Sequence, residues 1–277
     1  MSIDIGAVLH EGIDRLASAP GLTLVGAFLA LGLANVVVTQ SMTVAFVEFV
    51  VDELGPQLSE TRELEQFRQS TGPTPFAVSL APSLLAVLFL LLAVVTEALS
   101  VVAVRVFAGD ADDPWTGATD RLPMATLNAF VAGILAFVLI ALAFVVGLIG
   151  LIVGGFVLAA FVAISLLFVR QEVALEDENF LGALSESWDR AKGNRWQLLA
   201  LILLFGVLGA SVGVVGGLGS FLGPEASTIL SVTFGAITGA FGIAATTRAY
   251  EQLRGPEETD ETTDFDDGEE WDDPAGV

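Results

Sequence analysis

The chain has 277 residues, of which 54% are hydrophobic, and its mean hydropathy of +0.75 lies above the range of soluble domains. Its formal net charge is −22, and a surface this acidic repels nucleic-acid phosphates, so we expect no nucleic-acid partner. With no cysteine and a single histidine, the sequence excludes disulfides, thiol catalysis and metal sites built from several cysteines or histidines.

The charge pattern also indicates the environment of the protein. The acidic residues lie outside the apolar runs, and the cations include only one lysine, Lys192. In concentrated salt the Debye length falls to about 3 Å, so carboxylates repel one another weakly. We therefore expect the source to be an extremely halophilic organism, such as an archaeon.

Residues 1–21 predict an amphipathic helix on the cytoplasmic membrane surface. Ile5, Leu9, Ile13 and Leu16 recur at helical spacing and would turn toward the membrane. The segment lacks the basic leader and downstream cleavage site of a secretory signal. We expect the first span to act as an uncleaved targeting signal.

Six apolar segments follow, each long enough for the roughly 20 helical residues that cross a bilayer core. The predicted fold is all-α, a polytopic membrane domain with six transmembrane helices over residues 22–250. The predicted spans are 22–51, 76–107, 124–146, 151–169, 196–217 and 225–250. Spans three and four share one charge-free run from Leu122 to Val169, and glycines between residues 147 and 155 supply its turn.

Two polar segments accompany the spans. The loop after span one includes a stretch from Leu58 to Arg68 that predicts a short helix. Residues 251–277 are dense in acidic residues, which predicts a disordered tail. Phe265 and Trp271 interrupt this tail, so a partner-docking motif and a plain solvated tail are both open.

Arginine and lysine positions predict the orientation. With the N-terminus inside, nine cations lie on the inner side and only Arg62 and Arg68 on the outer side. Six spans return the chain to the side on which it began. We therefore expect a multi-pass cell-membrane protein with both termini in the cytoplasm.

Polar residues at membrane depth are the candidate functional residues. They are Glu97, Asn35, Gln40 and Asn128. An ionisable side chain in a span costs about 2.5–3.5 kcal/mol on insertion scales, so Glu97 is a candidate ligand for a proton, ion or substrate. The competing interpretation places it near the inner interface, solvated or paired with an arginine. For the amides, hydrogen bonding between helices is the simpler interpretation.

Small residues recur at every fourth position in spans five and six. They are Gly209, Gly213 and Gly217 in span five, and Ser231, Gly235 and Gly239 in span six. This spacing lets helix backbones approach closely, so we expect the two spans to pack on these faces. A dimer interface built from the same stripes is the alternative.

A weak repeat links the segments that precede the hairpins. Glu11 to Arg15 precedes span one, Glu186 to Arg190 precedes span five, and Asp120-Arg121 forms a poorer copy before span three. Chance similarity and three units, each with an interfacial helix and two spans, are both open. The second copy predicts a helix with an apolar face formed by Leu181, Leu184 and Trp188.

In the segment from Phe180 to Trp196, the predicted helix ends with Ser-Trp. The chain then continues through a Lys-Gly-Asn turn to a tryptophan at the start of a span. Its cytoplasmic motif comprises Glu186, Trp188, Asp189 and Arg190. The segment resembles uncharacterised multi-pass membrane families of haloarchaea. It is more distantly similar to the membrane domain attached to some bacterial glycerophosphodiester phosphodiesterases. This resemblance implies a membrane module and carries no catalytic residue.

No nucleotide-binding, metal or catalytic motif stands out, so we expect no cofactor and no enzymatic activity. The favoured hypothesis is a non-enzymatic scaffold or modulator of a membrane complex or of lipid, with lipids and a cytoplasmic protein as partners. The alternative is a small transporter or permease subunit that takes energy from a partner chain. The sequence does not indicate the oligomeric state.

Overall fold

A computed structural model describes residues 3–54, 72–110, 112–150 and 152–254. These residues form helices and turns, with no strand among them, which confirms the predicted all-α fold. The helices are α1 (Ile5–Ala17), α2 (Ala19–Leu54), α3 (Pro82–Ala108), α4 (Leu122–Gly150), α5 (Ile152–Ser165), α6 (Val169–Leu175), α7 (Phe180–Ala191), α8 (Arg195–Gly219) and α9 (Pro224–Arg254).

Among the described residues, six helical stretches are long and apolar enough to cross a membrane, as predicted. Pairs of consecutive spans pack as three antiparallel hairpins, α2 with α3, α4 with α5, and α8 with α9. The surface helices α1 and α7 lie at one end of the bundle, called here the α1 side. The largest fully buried side chains lie mostly toward this end and include Tyr250, Phe107, Phe168 and Leu198.

Two predicted spans differ from the observed helices. Residues 76–81 are not helical, and α3 starts at Pro82, because proline suits the first helical position and disfavours helix in the residue before it. The span predicted over 151–169 is interrupted between α5 and α6. The Ser187 hydroxyl of α7 bridges this break, since it accepts from the Phe168 amide and donates to the Ser165 carbonyl, each at 3.1 Å.

Some predictions fall largely outside the described residues. They concern the helix at Leu58 to Arg68 and the acidic tail with Phe265 and Trp271. Residues 251–254, which we assigned to the tail, continue α9 instead.

The surface helices contact the bundle through small residues and through part of each predicted apolar face, since Leu9 of α1 and Leu184 of α7 are partly buried against it. Val8 and Gly12 of α1 are buried, and a Cβ at Gly12 would lie 3.3 Å from the Ala245 backbone of α9. Ile13, predicted on the apolar face, is exposed, and so is Leu181 of α7. The buried residues of α7 are Ala183, Ser187 and Ala191.

The three-unit interpretation of the repeat is wrong. The two better copies form α1 and α7, whereas residues 112–121, before α4, form turns and bends with no helix. In the described part of the chain, surface helices therefore precede the first and third hairpins but not the second.

The glycine stripe of span five, predicted to join spans five and six, makes no close contact with α9. Gly209, Gly213 and Gly217 are exposed, and a Cβ on any of them would have no neighbouring atom within 4 Å. The close approach uses Gly219 instead, where a Cβ would lie 2.8 Å from the Cα of Ser227 in α9. Residue spacing identifies a face of a helix but not the direction in which that face points.

The small residues predicted in span six take two different positions. Ser231 lies at the α8–α9 contact, where its Oγ would be 2.1 Å from a Cβ at Gly216. Gly235 and Gly239 border cavities described below. The alternative of a dimer interface stays a prediction.

We predict that Gly219→Ala lowers the free energy of unfolding by about 1–3 kcal/mol, because the new Cβ overlaps the α9 backbone. Gly213→Ala is the matched control: its Cβ enters open space, and alanine favours a helix by up to about 1 kcal/mol over glycine. Unfolding in detergent, followed by circular dichroism, measures both variants. Equal stability of the two variants would contradict the α8–α9 contact.

Candidate intramembrane binding site

An ion pair between Glu97 of α3 and Arg170 of α6 forms a polar centre within the spans. Arg170 Nε donates to Glu97 Oε1 at 2.8 Å, and Nη2 donates to Oε2 at 3.0 Å. This bidentate geometry is the strong form of the pair. The side chain of Glu97 is 16% exposed and that of Arg170 is 40% exposed. Of the interpretations left open for Glu97, the structure shows pairing with an arginine.

A second layer of charges lies closer to the α1 side. Arg105 Nε donates to the Ala174 carbonyl at 2.8 Å, and Asp177 binds Arg105 and Arg121 at 3.5 and 3.2 Å. Glu97 lies about 12 Å from Arg105 along α3, given the helical rise of about 1.5 Å per residue. The Glu97–Arg170 pair is therefore deeper in the bundle than this layer.

Two cavities border α9 and meet at Arg170. The first, of about 580 Å³, lies between α6, α8 and α9, and the second, of about 460 Å³, lies between α2, α3 and α9. Arg170, Gly235, Gly239 and Ile243 line both cavities. Each volume falls in the range of small-molecule pockets, about 300–1,000 Å³.

Glycines create much of this space. A Cβ at Gly239 or Gly242 of α9, or at Gly209 of α8, would meet no neighbouring atom within 4 Å. We predicted Gly209, Gly235 and Gly239 as sites of close helix packing, but all three line the first cavity. The missing side chains leave a hollow that the adjacent helices do not fill.

The first cavity contains a buried amide with an unsatisfied oxygen. Gln171 is only 3% exposed, and its Oε1 has no hydrogen-bond partner among the described residues. A buried acceptor without a partner costs about 1–3 kcal/mol. Thr238 and Thr246 line the same cavity, but their hydroxyls donate to carbonyls of their own helix. Protein atoms enclose the Gln171 oxygen, so this acceptor is buried behind the cavity wall.

The other predicted amides lie in different places. Asn35 lines the second cavity. Gln40 binds the irregular segment before α3, since its Oε1 accepts from the Phe76 amide at 2.8 Å. Asn128 is half-buried in α4 and lines neither cavity. The structure thus brings Asn35 to the candidate site together with the Glu97–Arg170 pair.

Next to Gln171, the fully buried carboxylate of Glu172 joins three helices. Arg190 of α7 donates to it at 2.6 and 3.3 Å, and the phenol of Tyr250 in α9 lies 3.0 Å away. The Arg190 guanidinium also lies 4.5 Å from the centre of the Tyr250 ring. Burial alone would lower the pKa of Arg190, but its hydrogen bond to Glu172 and the nearby negative charges raise the pKa above its ordinary value.

The other three residues of the predicted cytoplasmic motif lie outside the contacts of Glu172. Trp188 packs edge-on against Phe161, with ring centres 5.6 Å apart. Asp189 pairs with Lys192 at the surface, and Glu186 is exposed. Of these three motif residues, only Trp188 contributes to packing between helices.

Sequence reasoning missed three consecutive residues that organise this region. Arg170, Gln171 and Glu172 follow the charge-free run directly, and we counted Arg170 only as a cation of the inner side. A signal was present, because the next three residues, 173–175, are apolar again. Polar residues enclosed by apolar ones indicate side chains inside the bundle.

The groups at this site are suited to binding. A guanidinium and an amide supply hydrogen bonds, and apolar walls surround them. Among the described residues, no group of three or more His, Cys, Asp or Glu could hold a metal ion. The arrangement can hold the polar end of a molecule whose remainder is apolar.

Comparison with known proteins gives one match. The family described as Domain of unknown function (DUF7847) matches residues 3–253. The matched range includes every residue that lines the two cavities. No curated protein and no solved structure shows a significant match.

We predict that Glu97 and Arg170 are energetically coupled by about 1–3 kcal/mol, because either charge alone would stay desolvated without its partner. A double-mutant cycle with Glu97→Gln and Arg170→Gln, measured by unfolding in detergent, gives this coupling. The exposed pair Asp189–Lys192 is the control and should give no more than about 0.5 kcal/mol. Equal coupling in the two pairs would contradict a desolvated site.

Proposed function

Because this chain belongs to the DUF7847 family, a domain of unknown function, we propose its role from geometry: a non-enzymatic membrane protein that binds lipid within its helix bundle and modulates the lipid phase or a membrane complex. The observation that carries this proposal is the pair of cavities that meet at Arg170 among the spans. Their walls are mainly apolar, and their few polar groups converge, as is typical of ligand sites.

The position of the cavities favours a lipid over a water-soluble ligand. Both lie between helices that are long and apolar enough to span a membrane. The exposed glycines Gly209 and Gly239 are in the cavity walls, so the walls extend to the outer surface of the bundle. An acyl chain can enter from the bilayer without crossing water. A binding role also fits Arg170, whose guanidinium is held by Glu97 and is not a base or nucleophile at neutral pH.

A transporter subunit is the second candidate. The observation that favours it is that Arg170 lines the cavities on both sides of α9. A ligand that moved from one cavity to the other would pass the same guanidinium. Energy for directional movement would come from a partner chain.

We also propose that the α1 side faces the cytoplasm. All described arginines and the single lysine lie at or toward this side, from Arg15 in α1 to Arg254 at the end of α9. Positive residues are retained preferentially on the cytoplasmic side of a membrane. Both termini of a cell-membrane protein would then be cytoplasmic.

Filling the cavity should reduce lipid binding. In Gly239→Leu the new side chain occupies the space shared by the two cavities, so we expect at least about a tenfold loss of lipid retained in native mass spectrometry. Gly213→Leu is the matched control, because it adds the same side chain to an exposed position of α8.

Equal lipid retention in the two variants would refute binding in the cavity. Glu97-dependent movement of a fluorescent lipid between leaflets of proteoliposomes would favour the transporter instead. In that case Glu97→Gln should abolish the movement while the control Gly213→Leu preserves it.

The orientation can be tested with single cysteines, because the natural chain has none. We expect a membrane-impermeant maleimide to label Glu48→Cys, near the far end of α2, in intact cells. His10→Cys in α1 should react only after lysis. Labelling with the opposite pattern would place the α1 side outside.

A further inference from the structure

We propose that the two cavities form one branched site for a single lipid with two hydrocarbon chains, one chain in each cavity, joined beside Arg170. This inference rests on the proposed function and names the class of lipid that the same cavities take. It is carried by the wall that the cavities share, by the matching depth of the two branches and by the one charged residue at their junction.

The two cavities share one wall on α9. Gly235, Gly239 and Ile243 line both of them and follow one another at about one turn of helix. Gly239 has no side chain to separate the cavities, and a Cβ there would have no neighbouring atom within 4 Å. From this wall one branch extends toward α8 and the other toward α2. Two chains of one molecule can therefore diverge from a common point.

The two branches lie at matching depth in the bundle. The α8 wall of the first cavity extends from Phe205 to Val212, and the α2 wall of the second extends from Phe28 to Asn35. Both helices start at the α1 side, because each follows a surface helix. With a rise of about 1.5 Å per residue, the walls lie about 15–26 Å and about 14–24 Å from those starts. Chains that leave one glycerol backbone side by side reach similar depths, as the branches do.

Polar and apolar groups are distributed as such a lipid requires. Among the described residues, Arg170 is the one charged residue that lines either cavity, and it lines both. Its Nε and Nη2 donate to Glu97, whereas its Nη1 has no partner in the part of the chain that the structure describes. The oxygens that join two chains to a lipid backbone are acceptors, so they match this donor.

The branches themselves are mainly apolar. The large apolar side chains in their walls are Phe205, Leu208 and Val212 in the first cavity, and Phe28, Leu31 and Val232 in the second. Asn35 is a polar exception, and it is exposed at the surface of the bundle. A ligand with its polar atoms at a branch point and hydrocarbon on both sides fits this arrangement.

Single-chain ligands fit less well. One chain would fill one branch and leave the other without the dispersion contacts that a filled apolar space supplies. Two separate single-chain lipids would bring two polar ends to the same guanidinium. A two-chain lipid fills both branches and brings one set of backbone oxygens to Arg170.

The test uses the full-length protein, stripped of lipid in detergent and then mixed with dioleoyl phosphatidylcholine or with its single-chain form, oleoyl lysophosphatidylcholine. Native mass spectrometry counts the bound lipid. We expect the parent protein to retain one molecule of the two-chain lipid. We also expect it to retain the single-chain lipid more weakly, because only one chain is buried.

Two variants each fill one branch. Gly209→Leu fills the first cavity, and Asn35→Phe fills the second. Each should lower retention of the two-chain lipid by about tenfold, because one chain loses its place. Retention of the single-chain lipid should change by less than about twofold, since the other branch stays open. That retention also shows that the variant is folded.

Matched controls lie one turn further along the same helices. Gly213→Leu adds the same side chain to an exposed position of α8, and Thr39→Phe does so in α2. Neither position lines a branch of the site, so both controls should retain the two lipids as the parent does.

The outcomes separate the two proposals. Two lipid molecules on the parent, falling to one in each branch variant, would show two separate sites and overturn the shared one. Loss of the two-chain lipid in fewer than both variants, or loss of both lipids in either variant, would overturn it too. These results would leave lipid binding in the cavities in place. No lipid retained by the parent protein would refute the proposed function itself.

Discussion

Every charge inside an apolar bundle needs a partner, and in this protein α6 supplies partners to three other helices. Its first residues point to different neighbours, Arg170 to Glu97 of α3 and Glu172 to Arg190 of α7 and Tyr250 of α9. A buried carboxylate or guanidinium left unpaired is far more costly than a lost surface contact, so each helix is held in a defined position. Gln171, between these two charges, lines the first cavity, and its buried side-chain oxygen has no partner among the described residues.

Glycine positions decide where the helices of this bundle pack closely and where a cavity remains. Where α8 and α9 approach each other, Gly219 allows contact with the backbone of Ser227. Further along α9, Gly239 and Gly242 face open space, and the cavity follows from the absence of their side chains. The same residue type therefore closes one part of an interface and opens another, according to the distance between the helix axes.

The membrane fold follows almost directly from composition, because apolar runs of sufficient length leave the backbone no alternative to helix. Glu97 was identified for the same reason: a carboxylate among apolar residues is conspicuous. Its partner Arg170 was not identified, because the pairing of side chains from two helices depends on the break between α5 and α6. No local sequence pattern predicts that break. The glycine stripes failed for a related reason, since the rotation of a helix about its axis depends on all of its neighbours. The halophilic source, the resemblance to haloarchaeal families, the cytoplasmic protein partner and the oligomeric state stay predictions.

The uneven packing of the three hairpins has a mechanical consequence. Contacts among Phe168, Leu198 and Tyr250 hold the second and third hairpins together at the α1 side, and further along α9 the close approach of Gly32 and Val232 joins the first hairpin to the third. Between these contacts the two cavities leave part of α9 without close neighbours. Because a close-packed interior resists compression and a void does not, lateral compression of the bundle would narrow these cavities before it disturbed the packed end.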